Sequence, residues 1–394
     1  MPRNIVLCSD GTNNTFDTQT NVGRFVEYLQ ADESQIVIYD SGVGTRGERS
    51  KKFEEYRRRS RAGEKVLKHL ESPQRLWPLS VWDRLQGLVN GLGLDKNVRQ
   101  LYVELAAHYT GTENVFLFGF SRGAFTVRAL AGLLYRCQLP KDGADAHRAF
   151  EQAWSLFQEM KDPKNRTEVF RKQQRFCSIH FLGLWDTVKS YGIKNPVMLP
   201  HLRHNPIVTH VRHALALDEQ RAFFQATTWG LLDLDEHGAM KRLTATMTED
   251  DLNLLERQRD NIEEVWFTGC HRDVGGGGDR LDTGAIALRW MLGEAVNVEN
   301  GVRLNSDGKA FLEDVDPKAE MNESQTLLCR FLERCERFEI NNEGEWPTKV
   351  ETSGHTGRRD LSKFAREGKV CLHETVTDRR SSSLYCVSKT KRSL

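Results

Sequence analysis

Gly119, Ser121 and Gly123 form a G-x-S-x-G sequence at the end of the apolar run Asn114-Val-Phe-Leu-Phe-Gly119-Phe. The run reads as a buried strand, and the small-residue stretch after Gly123 reads as a helix. On a sharp strand-to-helix turn a serine is held in a strained backbone conformation, with its hydroxyl projected out of the sheet. The flanking glycines let strand and helix approach without a Cβ clash. The chemistry offered is nucleophilic attack by Ser121, which needs a base to take the hydroxyl proton and a carboxylate to orient that base.

Partners for Ser121 lie downstream, in the order Ser, then Asp or Glu, then His that hydrolases with such a turn follow. Asp186 ends the strand-like run Ile179-His-Phe-Leu-Gly-Leu-Trp185. It serves either as the orienting carboxylate or as an ordinary Asx-turn aspartate. Among the twelve histidines, His271 follows the run Glu264-Val-Trp-Phe-Thr268 and precedes Arg272-Asp273-Val and four consecutive glycines that can adopt positive φ. His180 sits within a strand and reads as structural, and His373 is the reserve base. Asp273 has three roles open to it: bonding the histidine, binding a cation, or capping the next helix. A tetrahedral intermediate needs an oxyanion hole. The Arg122 N–H supplies one donor, and Gly11 or Thr12, on the turn after the first strand, supplies the other. Asp10 would repel an oxyanion, so it is read as holding the Asn13–Thr15 loop by an Asx-type bond.

The elements that must carry these turns alternate between short apolar runs and helical patterns. Strands are predicted over 4–9, 35–39, 114–118, 178–184 and 264–268. Helices are predicted over 20–29, 95–109, 123–137, 144–160, 207–217 and 283–294. This alternation predicts an α/β fold with a mainly parallel central sheet flanked by helices, interrupted by insertions. The strand-end turns, including Asp40-Ser-Gly-Val-Gly, should converge on one crevice at the carboxyl ends of the strands. A main domain is expected over 1–300, with insertions at about 46–94 and 190–260. An extension over 301–394 packs on it, with loops over 300–318 and 341–367 and a disordered tail over 379–394.

With 394 residues and a net charge of +1, the chain can bury a large core and carries no global field that would favour nucleic acid. No apolar stretch reaches 18 residues, and no signal-peptide pattern precedes the first strand. The eight cysteines have no zinc-site spacing. Together these features point to a cytoplasmic protein with no cofactor and no structural metal. The charge-dense stretch 46–61 reads as a solvated, self-paired helix rather than an anion contact. The apolar, glycine-rich stretch 76–94 reads equally as a lid or lipid-facing surface and as ordinary packing.

Several segments together resemble a bacterial and fungal α/β-hydrolase family long known as a domain of unknown function, which includes the class 1 phospholipase effectors of type VI secretion. They are Ser9-Asp-Gly-Thr-Asn-Asn, Tyr39-Asp-Ser-Gly-Val-Gly-Thr45, Gly93-Leu-Asp-Lys-Asn-Val98, Phe116-Leu-Phe-Gly-Phe-Ser-Arg-Gly-Ala-Phe125, Gly183-Leu-Trp-Asp-Thr-Val188, His213-Ala-Leu-Ala-Leu-Asp-Glu219 and Trp266-Phe-Thr-Gly-Cys-His-Arg-Asp-Val-Gly-Gly276. The family's usual proline is Thr268 here. The large membrane-association region of the secreted effectors has no counterpart, so the resemblance bears on the hydrolytic centre.

The resemblance implies an α/β-hydrolase-like fold and an ester hydrolase acting on acyl lipids, with Ser121, Asp186 and His271 as its triad. A lipid or other acyl ester would be its substrate, and a peripheral membrane contact would bring it there. A regulatory or immunity protein is what a toxin or defence enzyme would require, and delivery to another cell would need no signal peptide. Two other readings stand beside it. One is a phosphoester or nucleotide hydrolase with a metal held by Asp10, Asp186 and Asp273. The other is a catalytically idle binding module.

Overall fold

The computed structural model describes residues 2–42, 45, 50–71, 94–159, 166–188, 202, 205–219, 221, 224, 226–229, 249–258, 261–278, 281–312 and 371–372. Strands β1 (Asn4–Ser9), β2 (Gln35–Asp40), β3 (Leu67–Leu70), β4 (Asn114–Phe120), β5 (Ile179–Trp185), β6 (Val208–Ala216), β7 (Ile262–Phe267) and the two-residue β8 (Cys371–Leu372) form one sheet. Its order is β3-β2-β1-β4-β5-β6-β7-β8, and every pairing is parallel. The direction of strand addition reverses between β1 and β4, and that reversal opens a crevice at their carboxyl ends. Ser121 follows β4, and the Asp10–Asn14 turn follows β1.

Alternating side chains on the central strands bury both faces of the sheet. Ile5, Leu7, Ile36, Ile38, Val115 and Leu117 face a core shared with α3 (Leu94–His108), α4 (Arg122–Cys137) and α5 (Ala146–Gln158). Val6, Cys8, Val37, Tyr39, Phe116 and Phe118 face the opposite core, shared with α1 (Asn21–Tyr28) and α9 (Leu281–Asn297). Two-sided burial explains why these strands are near-continuous apolar runs. Cys8, Cys137, Cys177 and Cys270 are buried with free thiols. No helix among the described residues is long and apolar enough to cross a membrane.

The sequence misplaced one element. The helix predicted over 207–217 is strand β6, paired with β5 on one side and β7 on the other. Val208, Val211, Ala214 and Leu215 mimic helical spacing, with polar residues between them. Both Arg212 and His213 are instead buried with partners. The Arg212 Nε donates to Glu294 Oε2 at 2.6 Å, and His213 meets Glu264. Pairing on both edges, the Arg212–Glu294 ion pair and the His213–Glu264 hydrogen bond outweigh the local pattern.

The regions read as insertions and loops contain elements of their own. Between β2 and α3, α2 (Lys51–Ser60) turns Phe53 and Tyr56 inward, while Arg57 bridges Glu54 and Glu64. The Tyr56 hydroxyl donates to the Val26 and Leu29 carbonyls at 3.0 Å, which ties this helix to α1. α6 (Arg166–Lys172) and α7 (Glu249–Gln258) follow later in the chain. Residues 301–312, expected as loop, include α10 (Ser306–Phe311) and return to the amino end of β2, where the Arg303 N–H donates to Gln35 Oε1 at 2.8 Å. The stretch 76–93, the loop at 341–367, His373 and the tail lie outside the described residues.

The β4–α4 junction leaves no room for a side chain at either flanking glycine. A Cβ built on Gly123 would lie 2.1 Å from the Ser9 carbonyl oxygen and 2.5 Å from that of Asp10, and one on Gly119 would lie 2.6 Å from the Ala124 nitrogen. The obstacles are backbone atoms and cannot rotate aside. Gly123→Ala should therefore lower the unfolding free energy by roughly 1–3 kcal/mol, measured by urea denaturation, whereas ordinary surface substitutions stay near zero.

Candidate active site

Ser121 sits between β4 and α4 at φ 57° and ψ −119°, a region L-residues rarely occupy. Its N–H is held by the Trp185 carbonyl at 3.0 Å, and its own carbonyl accepts from the Phe125 N–H. The turn thus hangs from the neighbouring strand on one side and from the first helical hydrogen bond on the other. The hydroxyl points along the crevice.

His271 opens α8 (His271–Gly275), the short helix after β7. Its Nε2 lies 2.9 Å from Ser121 Oγ, and its Nδ1 lies 2.6 Å from Asp186 Oδ2. An ionised carboxylate only accepts, so Nδ1 carries the proton and the Nε2 lone pair faces the serine hydroxyl. Burial is the largest influence on the imidazole and lowers its pKa, while the hydrogen bond to Asp186 opposes that shift. The ring rests against Phe120 at 4.6 Å between centroids and meets Phe224 edge-on at 4.9 Å. The two aromatic side chains leave the imidazole little room to rotate.

Asp186 follows β5 at φ 39°, a second strained non-glycine turn. Its N–H donates to the Ala214 carbonyl at 2.7 Å, and its Oδ1 accepts from the Ala216 N–H at 2.9 Å. One carboxylate oxygen is therefore fixed by β6, while the other is presented to His271. Three residues from three strand ends, named from sequence order, meet in one hydrogen-bonded line.

The α4 N-terminus and the β1 turn flank the serine. The Arg122 N–H lies in the first turn of α4, where helical amides lack intrahelical acceptors. The Arg122 Nε donates to Thr12 Oγ1, and burial lowers the guanidinium pKa to about 10. One side chain thus bridges the two segments expected to bind an oxyanion. Of the two early-loop donors, Gly11 is corrected. Its N–H donates to Asp10 Oδ1 at 2.7 Å, so the Thr12 N–H is the candidate that remains. A Cβ built on Gly11 would lie 3.3 Å from Ser121 Cβ, which places this loop against the serine.

Asp10 holds more than its own loop. Besides Gly11, it accepts from the Thr20 hydroxyl at 2.6 Å and the Tyr39 hydroxyl at 2.7 Å, and the Asn14 side chain also reaches it. Burial raises its pKa to about 6 against these hydrogen bonds. Asp40, at the end of β2, accepts from the Ser9 hydroxyl and the Asn97 amide, both at 2.8 Å, and burial raises it to about 7. Asp273 caps its own helix, α8, rather than the next one: its Oδ2 accepts from the Cys270 N–H at 2.8 Å. The glycines after it adopt positive φ at Gly276 and Gly277. His180 donates to the Glu299 carbonyl at 2.7 Å, as a structural histidine does.

Asp10, Asp186 and Asp273 thus belong to three separate hydrogen-bond sets. Among the described residues, no group of three or more His, Cys, Asp or Glu side chains could hold a metal ion.

Sequence reasoning gave no role to the supports around His271. Glu219 is fully buried; its Oε2 accepts from the His271 N–H at 3.1 Å, and it pairs with Arg221, whose guanidinium covers the Phe224 ring. Asp218 exchanges hydrogen bonds with Gly269 just before α8. Asp218 and Glu219 close the matched segment His213–Glu219, and they follow the end of β6, which the sequence predicted as a helix over 207–217.

The family described as "T6SS, Phospholipase effector Tle1-like, catalytic domain" matches residues 3–294. The chain belongs to this family. It is also similar to the uncharacterized protein YEL023C of Saccharomyces cerevisiae, 30% identical over 242 residues that cover 57% of the chain and 32% of that protein. The chain therefore spans about a third of the length of this curated relative. Among solved structures, an uncharacterized protein from Pseudomonas aeruginosa is 17% identical, with a TM-score of 0.39 over 80% of this chain and 49% of its own. The Tle1 effector bound to the VgrG spike of the type VI secretion system is 16% identical, with a TM-score of 0.36 over 71% of this chain and 52% of its own.

The two raised carboxyls set a pH signature. A carboxyl whose pKa is higher in the folded protein than in the unfolded chain favours folding at acid pH, and that contribution is lost as pH rises through its folded pKa. For Asp40 the window runs from 3.8 to about 7. Asp40→Asn keeps an oxygen for Ser9 and Asn97. Between pH 5 and pH 8 wild type should lose stability relative to this variant by on the order of 2 kcal/mol, read by urea denaturation at both pH values. An equal change in both proteins would refute the assignment.

Proposed function

We propose that this protein is a serine hydrolase that cleaves carboxylic esters of acyl lipids, most closely a phospholipase. Membership in a family of phospholipase-effector-like catalytic domains supports the lipid substrate. The observation that carries the mechanism is the line from Ser121 Oγ through His271 to Asp186, with distances of 2.9 and 2.6 Å.

In this reading Ser121 attacks the acyl carbonyl carbon while His271 Nε2 takes the hydroxyl proton. Asp186 keeps the ring in the tautomer that has Nε2 free and stabilises the imidazolium that forms. The carbonyl oxygen becomes an oxyanion between the Arg122 and Thr12 N–H groups. His271 then returns its proton to the leaving alcohol oxygen as the ester C–O bond breaks, which leaves an acyl-serine and a free alcohol. Water repeats the sequence: His271 takes its proton, hydroxide adds to the acyl carbon, and the proton returns to Ser121 Oγ as the fatty acid departs. The partly enclosed serine, with Phe120 and Phe224 around its base, suits an apolar acyl chain better than a hydrated phosphate. Membership in an effector-type family is also compatible with delivery of the domain to another cell.

Phospholipid vesicles and short-chain esters test this directly. Ser121→Ala should lower kcat by on the order of 10³-fold or more, and EDTA should leave wild-type activity unchanged. Activity that survives in Ser121→Ala, or disappears with chelator, would refute the proposal. The base must be neutral to act, and burial lowers its pKa. The acid limb of kcat/KM should therefore have its midpoint below the ordinary histidine value of about 6.5. A midpoint above that value would mean that another group titrates.

A further inference from the structure

A second buried histidine–carboxylate pair stands behind the first. His213, on β6, is fully buried; its Nδ1 lies 2.9 Å from Glu264 Oε1 on β7, and its Nε2 lies 3.1 Å from the Thr187 backbone nitrogen. The Thr187 amide can only donate, so Nε2 must be unprotonated, and the proton resides on Nδ1, facing Glu264. Burial lowers the imidazole pKa against the pull of Glu264, which keeps the ring a neutral acceptor.

The amide that this ring receives belongs to the residue immediately after Asp186. That corner is strained, with Asp186 at φ 39°, and strain of this kind persists only where surrounding contacts over-determine it. The contacts that hold it include the Asp186 N–H to the Ala214 carbonyl, the Thr187 N–H to His213, and the Thr227 N–H to the Thr187 carbonyl at 2.8 Å. Glu264 in turn accepts from the Trp229 N–H at 2.5 Å. Arg128, fully buried on α4, donates to the Thr227 and Thr228 carbonyls at 2.6 and 3.1 Å and lies over the Trp229 ring. Through Thr227, whose N–H meets the Thr187 carbonyl, this shell connects to the Asp186–Thr187 corner.

We infer that His213 and Glu264 are positioning residues: the His213 ring is a fixed acceptor that clamps the Thr187 amide and so aims the Asp186 carboxylate at His271, and Glu264 fixes the tautomer that makes it one. The inference rests on the serine-hydrolase reading of the site. A misaimed carboxylate leaves substrate contacts intact, so the loss belongs in kcat and in the titration of His271, while KM stays unchanged. A 1 Å misplacement of such a group can cost about 10²-fold.

Two polar variants of similar size separate clamping from mere core filling. His213→Gln can place an amide oxygen where Nε2 stands, whereas the shorter His213→Asn reaches only the Nδ1 position. We expect His213→Asn to lower kcat for a soluble ester at least tenfold with KM within twofold, and to displace the acid limb of the pH profile. His213→Gln should stay within threefold of wild type. Glu264→Gln, whose amide oxygen still accepts from His213 and Trp229, should also retain most of the rate. Thermal melts confirm that each variant is folded.

A folded His213→Asn with wild-type kcat and acid limb overturns the inference, as does His213→Gln falling as far as His213→Asn. If wild type hydrolyses no ester, the functional reading fails on its own. The downfield proton NMR signal of His271 Nδ1–H, recorded without substrate, then decides the positioning. A signal shifted or lost in His213→Asn supports the clamp, and an unchanged signal overturns it.

Discussion

A serine held at positive φ between a buried strand and a buried helix constrains the rest of the molecule. Such a residue relaxes unless its neighbours forbid it, and here they do so with backbone atoms. Gly119 and Gly123 bring β4, α4 and β1 within distances that a Cβ would violate. The Trp185 carbonyl holds the Ser121 N–H from the next strand. The junction needs β1, β4 and β5 in parallel register and α4 packed flat on the sheet. The same arrangement sets the Asp10–Asn14 loop beside the serine and aims the end of β5 toward it.

Polar groups then do what apolar packing cannot, which is to fix direction. Each working side chain has a partner that points it. Ala216 fixes one Asp186 oxygen, Glu219 receives the His271 amide, and Asp10 gathers Gly11, Thr20 and Tyr39 behind the early loop. Buried carboxylates are costly unless several donors meet them. The raised pKa values of Asp10 and Asp40 show that even good hydrogen bonding only partly offsets that cost here. Around the crevice these buried carboxyls fix orientation at a cost in desolvation, as where backbone strain serves a site.

Much of this was legible from residue types. Two-sided burial makes strands such as β1 and β4 continuous apolar runs, so they and the turns that end them could be read with little error. Ser121, Asp186 and His271 were named because each ends or follows such a run, and the structure brings them together. β6 was unreadable for the same physical reason. Its alternation is broken by Arg212 and His213, whose partners Glu294 and Glu264 are 82 and 51 residues away. No local window contains that information. The choice between Gly11 and Thr12 was equally hidden, because it turns on which amide Asp10 captures. Glu219 carried no signal of its own beyond lying in a matched segment.

The proposed mechanism depends above all on Ser121 being the nucleophile that becomes acylated. Its most direct test is to treat the full chain with a fluorophosphonate and locate the adduct by peptide mass mapping. One stoichiometric phosphonyl adduct is expected, on the peptide carrying Ser121, with lipid hydrolysis lost in proportion to labelling. Hydrolysis that persists after Ser121 is fully modified, or an adduct on a different residue that tracks the loss of activity, would contradict it.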